Sequence, residues 1–168
     1  MSEKFEFILR VLLIGVGATI VMDLWALLLK RFGIPSLNFA LLGRWIGHLP
    51  EGKFIHENIS KAAPVRGESF MGWFAHYSIG IAFAGLLLAI YRLDWAHSPT
   101  LGPALLIGIG TVVSPLFILQ PALGAGIASS KTPRPIFNTA KSIVTHTVYG
   151  IGLYLAALAV EGLFCSGC

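Results

Sequence analysis

Asp23, His76 and His146 are the residues of this sequence whose types could do chemistry, because each falls inside a long apolar run. An ionisable side chain at membrane depth is costly, so it marks a candidate site by default. A carboxylate beside imidazoles can pass protons, since histidine titrates near neutral pH. The same two nitrogens and one oxygen form a ligand set that suits zinc or iron. Gln120 adds a polar amide in another apolar run, and Tyr77 and Thr145 lie next to the two histidines. Arg44, His48 and His56 fall on the connection between the first two runs, where the histidines could fold down as further ligands. No His-x-x-x-His or comparable spaced pair accompanies them, so no cofactor is assigned.

The elements that carry these residues are membrane helices. Only 12% of the 168 residues are charged, and the mean hydropathy is +0.78. A soluble domain carries about 25% charged residues. The whole chain, residues 1–168, reads as a single integral membrane domain. A span needs about 20 mostly apolar residues. The first runs from Val11 to Leu29, the second from Phe70 to Tyr91, the third begins at Leu101, and the fourth runs from Ser142 to Val160. The first is too long for a signal peptide, lacks a small-x-small cleavage site and ends in Lys30-Arg31, so it reads as retained. The third holds Pro115 and Gln120-Pro121; a helix is expected to about Gln120, followed by a kinked or partly unwound segment facing the bundle interior. The fold class is therefore all-α, a four-helix transmembrane bundle with a proline-broken third span.

Basic residues set the orientation. Lys30, Arg31, Arg44, Lys53, Lys61, Arg66, Lys131, Arg134 and Lys141 share one side, against Lys4, Arg10 and Arg92 on the other. The basic side is expected in the cytoplasm and both termini outside, in the periplasm. Charges confined to the gaps between apolar runs argue for lipid and against nucleic acid as a partner. Leu37, Leu41, Leu42, Trp45, Ile46 and Leu49 mark one face of an interfacial helix over 36–49, with Asn38, Arg44 and His48 opposite. A second short helix is expected over 54–63, with Glu57 and Lys61 paired along it. The four tryptophans fit interfacial belts, His97 reads as solvated, and Cys165 with Cys168 reads as an incidental tail.

Gly17-Ala18-Thr19, Met22-Asp23-Leu24-Trp25, Gly33-Ile34-Pro35-Ser36, Gly43-Arg44-Trp45, Gly47-His48, His76-Tyr77, Gln120-Pro121 and Lys131-Thr132-Pro133 follow one another in this order. The string resembles the bacterial membrane proteins grouped as domain of unknown function 2938, over nearly the full chain. The resemblance implies a small bacterial inner-membrane protein and no activity, so no catalytic residue is carried over.

The spans alternate in direction, yet the polar residues agree in depth. At about 1.5 Å per helical residue, Asp23 lies roughly 10 Å, His76 12 Å, His146 15 Å and Gln120 16 Å from the cytoplasmic ends of their runs. Each ionisable residue also shares a helix face with small residues that permit close packing: Gly15 and Thr19, Gly72 and Gly80, Ser142 and Gly150. An internal cluster of Asp23, His76, Gln120 and His146, with Tyr77 and Thr145 nearby, is the expectation. Handling of a proton or small solute is the first function it suggests. A membrane-embedded metal-dependent enzyme using Asp23, His76 and His146 is the alternative. A structural or accessory subunit of a membrane complex, or a homo-oligomer, is the third, since interhelical hydrogen bonds of about 0.6 kcal/mol can simply hold a bundle together.

Overall fold

The computed structural model describes residues 2–165, with only the backbone of Cys165; the expected Cys165–Cys168 tail therefore lies outside the described residues. Five helices build the described residues: α1 Glu3–Arg31, α2 Phe39–His48, α3 Glu68–His97, α4 Leu101–Ala122 and α5 Pro135–Cys165. All but α2 are long and apolar enough to cross a membrane. Large apolar side chains such as Leu24, Leu27, Phe74, Leu106, Phe117 and Leu158 stay exposed on their outer faces, as a lipid-facing bundle requires.

The helices overrun the apolar runs at both ends. α1 starts at Glu3, ahead of Val11, because Glu3 and Glu6 suit a helix N-terminus and Glu6 pairs with Arg10 one turn on at 2.8 Å. α5 starts at Pro135, whose fixed φ fits the first helical position. α3 continues past Tyr91, but Arg92 is left-handed (φ 61°) and breaks the helical path there. Trp95, expected in an interfacial belt, is buried and donates to the Thr100 carbonyl at 3.2 Å.

α4 is irregular earlier than the Gln120-Pro121 pair suggests. Its regular part ends at Gly110, a turn follows at 111–112, and a π-helical stretch covers Pro115–Leu119. Pro115 has no N–H for the Thr111 carbonyl, which takes the Ser114 N–H at 3.0 Å instead. The helix then continues through Gln120 to Ala122 and unwinds over 123–134, as expected of that stretch.

α1 packs against α3 on one side and α5 on the other, α5 packs against α4, and α3 meets α4 only weakly. The packed core, including Ile14, Ala18, Leu87, Leu88, Leu153 and Ala157, fills the half of the bundle away from α2. Close approach sets this half. A side chain at Gly15 would strike the Ile81 backbone at 2.6 Å, and one at Gly152 the Ala18 carbonyl at 2.9 Å. The half nearer α2 is hollow.

α2 has a protein partner as well as an apolar face. It docks on the start of α3, where Gly43 and Gly72 bring the two backbones so close that a Cβ on either would strike the other helix's chain. The expected polar face is docked too: His48 is buried and Arg44 is half-buried. The predicted helix over 54–63 reduces to one 3-10 turn, Ile59–Lys61, capped by Asn58. The rest is extended because the His56 and Ile59 N–H groups bond the Ala122 and Leu123 carbonyls at the end of α4, at 2.9 and 3.1 Å. Among the described residues Glu57 and Lys61 form no ion pair. The first and third connections are thus tied together at one end of the bundle.

Candidate functional site

Asp23 projects from α1 toward α3. Its Oδ1 lies 2.8 Å from His76 Nε2, and its Oδ2 accepts from the Tyr77 hydroxyl at 3.0 Å. A carboxylate is an acceptor, so His76 Nε2 carries the hydrogen, and Nδ1 has no protein partner among the described residues. Phe39 of α2 stacks on the imidazole at 4.1 Å between centroids, and Trp73 closes its edge at 5.8 Å. The docking of α2 through Gly43 and Gly72 is what brings Phe39 there.

His146 stands on α5 against α4. Its Nδ1 is 3.1 Å from Thr111 Oγ1, and that hydroxyl gives its own hydrogen to the Gly108 carbonyl at 2.7 Å. Nδ1 must therefore be the donor, leaving Nε2 as a free base. Gln120 forms a third set: its amide donates to Ser142 Oγ at 3.2 Å and its carbonyl oxygen accepts from Ser129 Oγ at 3.0 Å. No hydrogen bond joins these three sets to one another. Equal depth on a helix does not fix the direction in which a side chain points.

What they share is a cavity. A hollow of about 410 Å³ between the four long helices is lined by Asp23, His76, Gln120, Thr145 and His146, with Thr19 and Tyr149 deeper in. Met22, Ala26, Ile79, Phe83 and Leu119 make most of its wall apolar, and Lys141 stands at the α2 end, donating to the Pro35 carbonyl at 2.7 Å. Tyr77 reaches this site through Asp23, without lining the cavity. A volume of this order suits a small molecule. Beside it runs a groove bounded by α1, residues 33–39 and Trp73, and Asp23 lines both.

The proposed metal triad is not assembled. Among the described residues, no three His, Cys, Asp or Glu side chains are grouped to hold a metal ion. Asp23 and His76 are spent on each other, while His146 turns to Thr111. Nor do the connection histidines fold down to complete it. His48 Nε2 lies 3.0 Å from the Ala63 carbonyl and its Nδ1 3.4 Å from Glu51. The His56 ring stands 5.3 Å from that of His48, both nitrogens buried without a hydrogen bond. Arg44 grips Glu68 with two bonds of 2.8 Å and caps the Ser60 and Ala62 carbonyls at 3.2 Å. The Glu68 carboxylate holds this guanidinium above its ordinary pKa.

The family model described as protein of unknown function (DUF2938) matches residues 12–160. The chain belongs to that family. No curated protein and no solved structure matches it. Within this DUF2938 chain, the Asp23 and His76-Tyr77 motifs are the two halves of one hydrogen-bonded unit. Gly43-Arg44-Trp45 is the docking seam of α2: glycine for approach, arginine for Glu68, and tryptophan donating to the Phe54 carbonyl at 2.9 Å.

One polar group escaped the sequence. Arg10, read there as a topology signal, is 1% exposed at the opposite end of the bundle. It pairs with Glu6 at 2.8 Å and Glu161 at 2.7 Å, and its guanidinium lies 4.5 Å from the Phe164 ring. His97, expected to be solvated, joins it at 3.1 Å. The one local signal was the i,i+4 spacing of Glu6 and Arg10.

Proposed function

We propose that the chain is a multi-pass protein of a bacterial inner membrane that binds a small solute in its interior cavity and links that binding to a proton on the Asp23–His76 pair. The observation that carries this reading is Asp23 on the wall of both the cavity and the groove, bonded to an imidazole whose second nitrogen has no protein partner among the described residues. An ionised group this deep is tolerated only when paired, so a change of solute charge must be met by a change of protonation. The excess of basic residues at the α2 end favours that end in the cytoplasm, with both ends of the chain on the periplasmic side. The tight core of the other half favours a binding site reached from one side over an open channel.

The test is thermal unfolding of the protein in mild detergent against a panel of small carboxylates, phosphates, amines and alcohols, at pH 6 and pH 8. At least one class should raise the melting temperature, by an amount that depends on pH. Asp23→Asn should abolish that pH dependence. If no class stabilises the protein, and Asp23→Asn only lowers its melting temperature, the polar groups are interhelical glue and the accessory-subunit reading replaces this one.

A further inference from the structure

Resting on the cavity-binding reading above, we infer that the solute is a single-chain amphiphile with a compact anionic head. It reaches the cavity sideways from the bilayer, between α1 and residues 33–39, and is taken with one proton on His76.

The charge of the head follows from what the cavity leaves unsatisfied. Its two formally charged residues are Asp23 and Lys141. Both Asp23 oxygens already accept, from His76 and Tyr77, so no free carboxylate awaits a cation. Lys141 Nζ donates to the Pro35 carbonyl and has no further partner among the described residues. An ammonium carries three donors, so two remain for an anion. Of the cavity's neutral polar residues, Gln120 from α4 and Ser142 from α5 are bonded to each other.

The tail follows from the route. Cavity and groove share Asp23, Ala26, Pro35, Ser36, Leu37 and Phe39, so they meet along one seam. Beyond the seam the groove is bounded by Leu27, 62% exposed, and Trp73, 46% exposed, both on lipid-facing surface. Lys30 also lines it, placing a second cation near the level of the headgroups. A head drawn in from there would trail its chain past apolar side chains back to the lipid.

The proton follows from charge balance. With neutral imidazoles, Asp23 and Lys141 cancel, and an arriving anion leaves one uncompensated charge in a low dielectric. His76 faces Asp23 from α1, Tyr77 on its own helix and Phe39 from α2, and it shares the cavity with Lys141 and His146 from α5 and Gln120 from α4. Its free Nδ1 can take a proton while Nε2 stays on the carboxylate, which stabilises the imidazolium. His146 has a free nitrogen too, but its bonded partner is the Thr111 hydroxyl, with no carboxylate to hold the cation.

The experiment is equilibrium binding of radiolabelled laurate to the protein in nanodiscs, counted above empty nanodiscs, between pH 6 and pH 8. Laurate should bind once per chain and more tightly at pH 6. Equal concentrations of acetate or dodecanol should not displace it. Lys141→Gln should weaken it about tenfold, the loss of one charge-assisted contact. His76→Gln should remove the pH dependence and His146→Gln should keep it. Ala26→Trp, at an unchanged melting temperature, should slow association. Displacement by acetate would overturn the tail, displacement by dodecanol the anionic head, and an unslowed Ala26→Trp the sideways route. Any of these leaves the proton-linked cavity standing if another class in the thermal panel binds with Asp23-dependent pH sensitivity; loss of that sensitivity in every class would sink both.

Discussion

Asp23 accepts from two donors that both stand on α3, so the carboxylate fastens two helices as well as facing a cavity. Removing the acceptor strands the His76 N–H and the Tyr77 hydroxyl, and a stranded buried donor costs about 1–3 kcal/mol. Asp23→Ala should therefore destabilise the protein by about 2 kcal/mol in a detergent unfolding titration, whereas Asp23→Asn, which keeps an acceptor, should lose less. Equal losses would show that the bonds contribute little. Arg10 gives a sharper contrast at the other end. Truncating a buried charge leaves Glu6 and Glu161 without it, so Arg10→Ala should cost about 3–5 kcal/mol. A loss below about 1 kcal/mol in the same titration would mean that His97, water or lipid headgroups satisfy those carboxylates. The two residues differed in legibility. Asp23 stood out because an acid in an apolar run has no local excuse, and its depth matched that of His76. Arg10 sat in the gap before a span, where a cation is ordinary; its partners Glu161 and His97 come from other helices, and no local pattern links them.

At the scale of elements, apolar runs announced four spans, but the ends and the docking came from contacts between elements. The connection over 54–63 has an i,i+4 pair suited to a helix, yet apart from the turn at Ile59–Lys61 it is extended. The unwound end of α4 leaves the Ala122 and Leu123 carbonyls open, and bonding them outweighs the few tenths of a kcal/mol in a surface ion pair. Ile59→Pro removes one of those donors. It should lower stability by about 1–3 kcal/mol and increase proteolysis of the 123–134 segment, which lies across the bond. Unchanged cleavage there would show that the two connections are independent. α2 was visible as an amphipathic helix, but its partner was not. A glycine in a helix can mean packing against any neighbour, and only the folded chain pairs Gly43 with Gly72. Gly43→Val must push α2 off α3 and carry Phe39 away from His76. We expect a loss of about 1–3 kcal/mol from overpacking, together with increased labelling of a cysteine placed at position 39. Destabilisation without added labelling would mean that the seam gives way elsewhere.

For the molecule as a whole, the decisive feature is an uneven division between a packed half and a hollow one. In the packed half, Ile14, Ala18, Leu87 and Leu153 are buried to 1% exposure or less, and Tyr149 closes its boundary by donating to the Gly80 carbonyl at 2.6 Å. In the hollow half, Pro115 removes a helical bond, α3 and α4 scarcely touch, and the backbone beyond Ala122 relies on the first connection for partners. Local opening follows low packing and few internal backbone bonds. Amide exchange in nanodiscs should therefore be slowest over 150–160 of α5 and 84–88 of α3, and faster by orders of magnitude over 111–134. A ligand that fills the cavity should slow that second region and leave the first unchanged, because only the second borders the hollow. Uniform protection would argue against this division. It would mean that the gap between α3 and α4 is as rigid as the core, and that entry of any solute must await a movement of the whole bundle.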